Sequence, residues 1–224
     1  VPRIARALVD NCYYHLINRG NGRQQVFHKD ADYRAFIDLL LQARGKYSVK
    51  LLAWCLMPNH FHLLVQPKEA DQLNKWMQWL MTTHVRRYHK HYGSSGHVWQ
   101  GRYKSFIVQD DEHLLTVARY IETNPVRATL APAAGQWPWS SYQGRNAATE
   151  ESRPDPLPIS LPEDWAAFVD MPLTEAEIAK VRNSVNRQTP FGCESWRDEL
   201  CVKMGLESTV RRRGWQKGRK RKEQ

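Results

Sequence analysis

Apolar and polar positions alternate along the chain with two periods. "CYYHLIN" (12–18) has the aromatic and β-branched content of a strand, and "RGNGRQQ" after it sets two glycines among polar residues, which marks an exposed loop. Tyr33, Phe36, Ile37, Leu40 and Leu41 then recur at helical spacing, from a cap at Asp30 until Gly45. "SVKLLAWCLM" is apolar on both alternating faces, as expected of a central strand, and Pro58-Asn59 turns it into "HFHLLVQ", so the two predict a tight hairpin. A long helix follows over 71–92, with Leu73, Trp76, Met77, Leu80, Val85 and Tyr88 on one side. Gly93 to Gly96 breaks it, and "RYKSFIV" reads as a further strand. Asp110, Asp111 and Glu112 open another helix, whose N-terminal end favours negative charge, and Pro125 stops that helix at Asn124.

The order strand, helix, strand, strand, helix, strand, helix predicts an α+β fold: an antiparallel sheet of the split βαβ kind with helices on one face. After "WPWSSY" (137–142), the stretch 143–162 is rich in Pro, Ser, Asn and Ala and is expected to be a linker. Helical segments from Thr174 and near Glu194 precede a basic end. The expected division is therefore a main domain over 1–142, a linker over 143–162 and a C-terminal helical segment with a basic tail over 163–224.

Composition adds a partner and a compartment. The 224 residues carry a formal net charge of +10, which points to a polyanion, and seven of those charges lie in "TVRRRGWQKGRKRKEQ" from Thr209 onward. A run of that kind reads equally as a solvated tail, so it does not decide the function by itself. Cys12, Cys55, Cys193 and Cys201 are too sparse for a disulfide framework and form no C-x-x-C pair, which fits a reducing, cytosolic setting. The beginning of the chain lacks a secretory apolar core, and the longest apolar run, Leu51 to Met57, is far short of a bilayer span, so a soluble protein is expected.

Chemistry concentrates in two places. In "MPNHFHLLVQP", strand alternation points His60 and His62 to one face and Phe61, Leu63 and Val65 to the other. Two neighbouring imidazoles on rigid backbone can hold a divalent metal; the competing reading is a pair of satisfied structural histidines. In "ARYIETNPVRA", Leu114, Val117, Ala118 and Ile121 form the core stripe of a helix, while Tyr120 and Asn124 lie four apart on its flank. A lone tyrosine there would only cover the edge of a core, and it gains meaning beside the two histidines.

Taken in order, "INRGN", "MPNHFHLLV", "VWQGRYKSF" and "RYIETNPVRA" resemble the Y1 transposase family with its H-hydrophobe-H motif, specifically the REP-associated tyrosine transposases. The resemblance implies a ferredoxin-like sheet bearing His60 and His62, faced by Tyr120 on a helix. By that analogy Tyr120 attacks a phosphodiester of single-stranded DNA, leaving a 5′-phosphotyrosyl link and a free 3′-hydroxyl. His60 and His62 would bind Mg²⁺ or Mn²⁺, Mn²⁺ the more tightly, with Asn124 as third ligand where better-known relatives have Gln or Lys. The substrate would be a short imperfect palindrome of repeated extragenic elements, folded as a hairpin and flanked by a conserved tetranucleotide. Expected DNA contacts are Arg19, Arg86, Arg87, Arg102 and Lys104 at phosphates, Trp99 and Tyr103 at unpaired bases, and Arg211, Arg212 and Arg213 in the tail. The implied setting is a bacterial cytoplasmic, nucleoid-associated protein, either monomer or homodimer. The alternative function is a regulatory or architectural protein that binds palindromic DNA without cleaving it.

Overall fold

A computed structural model describes residues 8–145 and 153–211. Strand β1 (Tyr13–Arg19) leads through a single turn of 3-10 helix into α1 (Asp30–Lys46), then β2 (Val49–Met57), β3 (His60–Pro67), α2 (Ala70–Tyr92) and β4 (Lys104–Val108). The four strands pair antiparallel in the order β2-β3-β1-β4, as the split βαβ pattern predicts. Helix α2 ends where Gly93 takes a left-handed conformation (φ 58°), which glycine adopts at no steric cost. Gly20 is required for a different reason: a β-carbon there would lie 2.2 Å from the carbonyl oxygen of Gln24. That close approach lets the loop after β1 dock on the β2–β3 turn, where the amides of Val26 and Phe27 donate to Pro58 O and that of Gly20 to Asn59 O.

The period of two along the strands builds two cores. Tyr14 and Leu16 of β1 and Phe61, Leu63 and Val65 of β3 pack with Phe36 and Leu40 of α1 and with Trp76 and Leu80 of α2. On the opposite face, Tyr13, Leu64, Phe106 and Val108 meet Leu114, Val117, Ala118 and Ile121 of α3 (Glu112–Glu122). Helices thus cover both faces of the sheet, where the element order led us to expect one. The reason is visible in the strands, because a run apolar on alternate faces must be covered on both.

Short helix α4 (Asn124–Arg127) continues from α3 after a break at Thr123. The C-terminal half follows as α5 (Ser141–Arg145), α6 (Trp165–Asp170), α7 (Glu175–Arg187), α8 (Glu194–Met204) and α9 (Glu207–Val210). Helix α7 begins at a capping box in which Thr174 and Glu177 satisfy each other's backbone amides, and it buries Ile178 and Val181 in the α3-side core. Within the stretch expected as a linker, Arg145 reaches Glu122 and Asp155 pairs with the backbone of Leu51. None of the described helices is long and apolar enough to cross a membrane.

Glu122 holds these parts together. Its carboxylate is fully buried and accepts from Ser141 Oγ (2.6 Å), Arg145 Nε (2.9 Å) and Trp165 Nε1 (2.9 Å). Removing one partner of such an ion pair leaves the other charge buried and unmatched, which costs about 3–5 kcal/mol. Glu122→Ala is therefore expected to lower unfolding free energy by about that amount in urea titrations, whereas breaking a solvent-exposed pair such as Asp71–Lys75 should leave it almost unchanged.

Buried imidazoles make stability depend on pH. Burial pushes His15 down to about 3 and His84 down to about 4 from an ordinary 6.5. Below about 6.5 the unfolded chain takes up protons that these rings refuse in the folded state, so stability is complete above that value and declines as pH falls toward 3. Thermal unfolding midpoints are expected to be level near neutrality and to drop progressively between pH 6.5 and 4.

Candidate active site and metal centre

The face of β3 turned toward α3 carries His60 and His62, with Arg19 and Ile17 opposite them on β1. His60 lies against Asn59, whose side-chain nitrogen donates to Arg23 O (3.1 Å) and so turns its oxygen toward His60 Nδ1 (2.7 Å). That oxygen accepts only, which puts the proton of His60 on Nδ1 and leaves an Nε2 lone pair. His62 is held likewise through Nδ1, 2.8 Å from Nε2 of the fully buried His15. When His62 donates in that contact, its own Nε2 also presents a lone pair. Burial, with Arg19 adding to it, pushes His60 down to about 4, and burial followed by the neighbouring His15 pushes His62 far below its usual range. Both rings are therefore neutral at pH 7, the state in which imidazole binds a metal.

Tyr120 sits in the last turn of α3, almost wholly buried, with its ring centroid 5.9 Å from that of His62. Arg127 stacks over this ring at 4.0 Å, donates through Nη2 to Tyr120 O (2.7 Å) and bonds Thr123 Oγ1 through Nη1. Burial lowers the guanidinium's pKa, and the adjacent Tyr120 opposes that shift. The break at Thr123 keeps Asn124 on the same side as Tyr120. Asn124 is 9% exposed, and its side-chain nitrogen is buried without a hydrogen-bond partner. Turning the amide over places its oxygen in that position.

These groups surround one cavity of about 350 Å³, which His60, His62, Tyr120 and Asn124 all line. Arg19 and Arg127 enter it from β1 and α4, and Arg182 and Asn186 reach it from α7. No carboxylate lines it. Two imidazoles with available lone pairs and an amide with an unsatisfied polar atom fit a divalent cation, and the guanidiniums fit an anion. A second possible metal group, Asp111, Glu112 and His113, lies at the other end of α3. There Asp111 caps the helix, accepting from the backbone amide of His113 (2.9 Å) and meeting its Nδ1 (2.6 Å).

The other expected DNA contacts are dispersed. Arg86, Trp99, Arg102 and Tyr103 line a separate cleft on the opposite side of the sheet, with both aromatic rings largely buried. Arg87 and Lys104 are exposed and line neither cavity. Arg211 is exposed and its backbone oxygen accepts from Arg187, while Arg212 and Arg213 lie outside the described residues. His15, Arg127, Arg182 and Asn186 were not anticipated. A histidine at the centre of a strand otherwise built for burial was a usable signal for His15. Arg127, seven positions after Tyr120, stood within a quoted motif.

Comparison with known proteins places the chain in a family. The sequence model of the family described as "Transposase IS200 like" matches residues 8–124. A Haemophilus influenzae protein named "Putative REP-associated tyrosine transposase" is 29% identical over 136 residues, covering 56% of this chain and 71% of that protein. An Escherichia coli protein named "REP-associated tyrosine transposase" is 19% identical over 132 residues, covering 58% and 75% respectively. A solved structure described as a REP-associated tyrosine transposase bound to a REP hairpin superposes with a TM-score of 0.55 at 15% identity, covering 71% of this chain and 95% of its own, and so shares the fold. Because the family match takes in more than half of the 224 residues, from the first strand through the tyrosine helix, the chain belongs to the IS200-like (Y1) transposases.

Proposed function

We propose that this protein cleaves and rejoins single-stranded DNA at REP hairpins, with Tyr120 as nucleophile and a divalent cation, Mg²⁺ or Mn²⁺, held by His60, His62 and Asn124. The observation that carries the reading is the shared cavity, in which a phenol, two neutral imidazoles and three guanidiniums meet without a carboxylate. The similarity to REP-associated tyrosine transposases, and to a fold solved with a REP hairpin bound, supports the choice of REP hairpins.

In this scheme Tyr120 Oη bonds to phosphorus as the 3′-oxygen departs, and the phenolic proton ends on that oxygen. The product is a 5′-phosphotyrosyl link, which preserves a reactive phosphodiester for rejoining. A divalent cation held by His60, His62 and Asn124 would offset negative charge on the phosphate as the transfer proceeds. Arg127, stacked over the Tyr120 ring, brings a positive charge to the cavity beside the phenol. Arg19 and Arg182 hold the DNA phosphates on either side of the cavity. The catalytic unit of residues 1–142 is then completed by α7, so the C-terminal half contributes to the site besides supplying a basic tail.

His15 positions His62 by accepting its Nδ1–H, an arrangement that aims Nε2 into the cavity. Calorimetric titration with Mn²⁺ is expected to show roughly 10- to 100-fold weaker binding by His15→Leu, with partial recovery in His15→Gln. Equal Mn²⁺ affinity in His15→Leu would remove that role.

The nucleophile is tested with labelled single-stranded REP hairpin DNA and Mn²⁺. Wild type is expected to form a protein–DNA adduct that survives denaturation, and Tyr120→Phe none. Cleavage by Tyr120→Phe at the wild-type rate would make water the attacking group. Tight binding by wild type with no cleavage under any divalent cation would leave a palindrome-binding protein.

A further inference from the structure

Asn59 is the second residue of the two-residue turn between β2 and β3, and its side chain makes two hydrogen bonds of opposite sense. Its Nδ2 donates to Arg23 O (3.1 Å), and its Oδ1 lies 2.7 Å from Nδ1 of His60. Exchanging the ends of the amide would set two acceptors against each other at Arg23 O, so the first bond dictates the second. Within a strand, adjacent side chains point to opposite faces and could not meet. The turn lifts that restriction and lets Asn59 reach the ring of its own neighbour. Among the described residues no other group hydrogen-bonds that ring, so Asn59 decides which of its nitrogens carries the proton.

The acceptor that orients Asn59 is itself held in place. Gly22 and Arg23 are consecutive left-handed residues (φ 59° and 65°), a conformation that glycine takes freely and arginine rarely, which marks a backbone fixed by its surroundings. The amide of Arg23 donates to Gly20 O (2.9 Å), and that of Gly20 to Asn59 O (2.7 Å). With the bond from Asn59 Nδ2 to Arg23 O, these close a ring of three hydrogen bonds between the loop after β1 and the turn. The side chain of Arg23 is exposed and lines neither the catalytic cavity nor the cleft on the other side of the sheet. Its carbonyl, not its guanidinium, is what reaches the site, and it does so through Asn59 and His60.

We infer that Asn59 is a positioning residue for the cation site: it keeps the His60 proton on Nδ1, so that the Nε2 lone pair is ready for a metal before one arrives, and the loop after β1 holds it to that task. The inference rests on the cation reading given above. It is tested first on the metal-free full chain labelled with ¹⁵N-histidine, where long-range ¹H–¹⁵N spectra separate the two tautomers and His60 is identified by its absence from His60→Gln. Wild type is expected to show the Nδ1–H form, and Asn59→Ala a mixture with the Nε2–H form. In calorimetric titration, Asn59→Ala is expected to bind Mn²⁺ roughly 10- to 100-fold more weakly than wild type. Asn59→Asp also loses the bond to Arg23 O but keeps an acceptor for His60, so it should retain the Nδ1–H tautomer and regain most of that affinity. A residue that merely anchored the loop would give equal losses in the two variants, and that result would overturn the inference. So would a wild type whose His60 carries its proton on Nε2, an outcome that leaves the cation reading standing. Wild type with the Nδ1–H tautomer and no measurable Mn²⁺ binding would instead end the cation reading, and the role of Asn59 with it.

Discussion

The site depends first on the alternation of side chains along β3. Phe61, Leu63 and Val65 are fully buried in the core under α1 and α2, which sends His60 and His62 to the other face beside Arg19 and His15 of β1. A slip of one residue would place the imidazoles in the core under α1 and α2 and turn Phe61, Leu63 and Val65 toward the polar cavity, so the hydrophobic pattern and the polar site specify the same register. The turn at Pro58-Asn59 and the close approach at Gly20 lock it from the loop side.

A second constraint brings the phenol to the histidines. Helix α3 docks through Leu114, Val117, Ala118 and Ile121, and its last residue, Glu122, is gripped by groups from α5 and α6. Tyr120 and Asn124 bracket that buried carboxylate in sequence, so the contacts that fasten the C-terminal half also fix the two side chains facing the cavity. Arg119 of α3 adds an ion pair to Glu177 at the start of α7, the helix that carries Arg182 and Asn186 to the same opening. Stability and site geometry are consequently linked through α3.

Much of this is legible in the sequence alone. The strand and hairpin limits, the long α2, the helix beginning at Asp111 and the Thr174 start of α7 follow from local pattern and capping chemistry. His60, His62, Tyr120 and Asn124, singled out from two separate motifs, line one cavity. What escaped depends on tertiary packing. Arg182 and Asn186 lie four apart on α7, like many solvated helix positions, and only the docking of α7 on α3 brings them to the cavity. Trp99 and Tyr103 read from sequence equally as base-stacking or core aromatics, and packing decides for the core, where their rings are largely buried. The second helical layer was missed because element order does not say which face a helix chooses, although strands apolar on both sides required one.

The central claim is that His60 and His62 hold a divalent cation facing Tyr120. The most direct measurement is anomalous diffraction at the manganese edge from crystals of the protein grown with Mn²⁺. The account predicts a single strong peak in the cavity, contacting Nε2 of His60 and of His62, with the Tyr120 hydroxyl turned toward it. A peak confined to Asp111, Glu112 and His113, with none between the two β3 histidines, would contradict it.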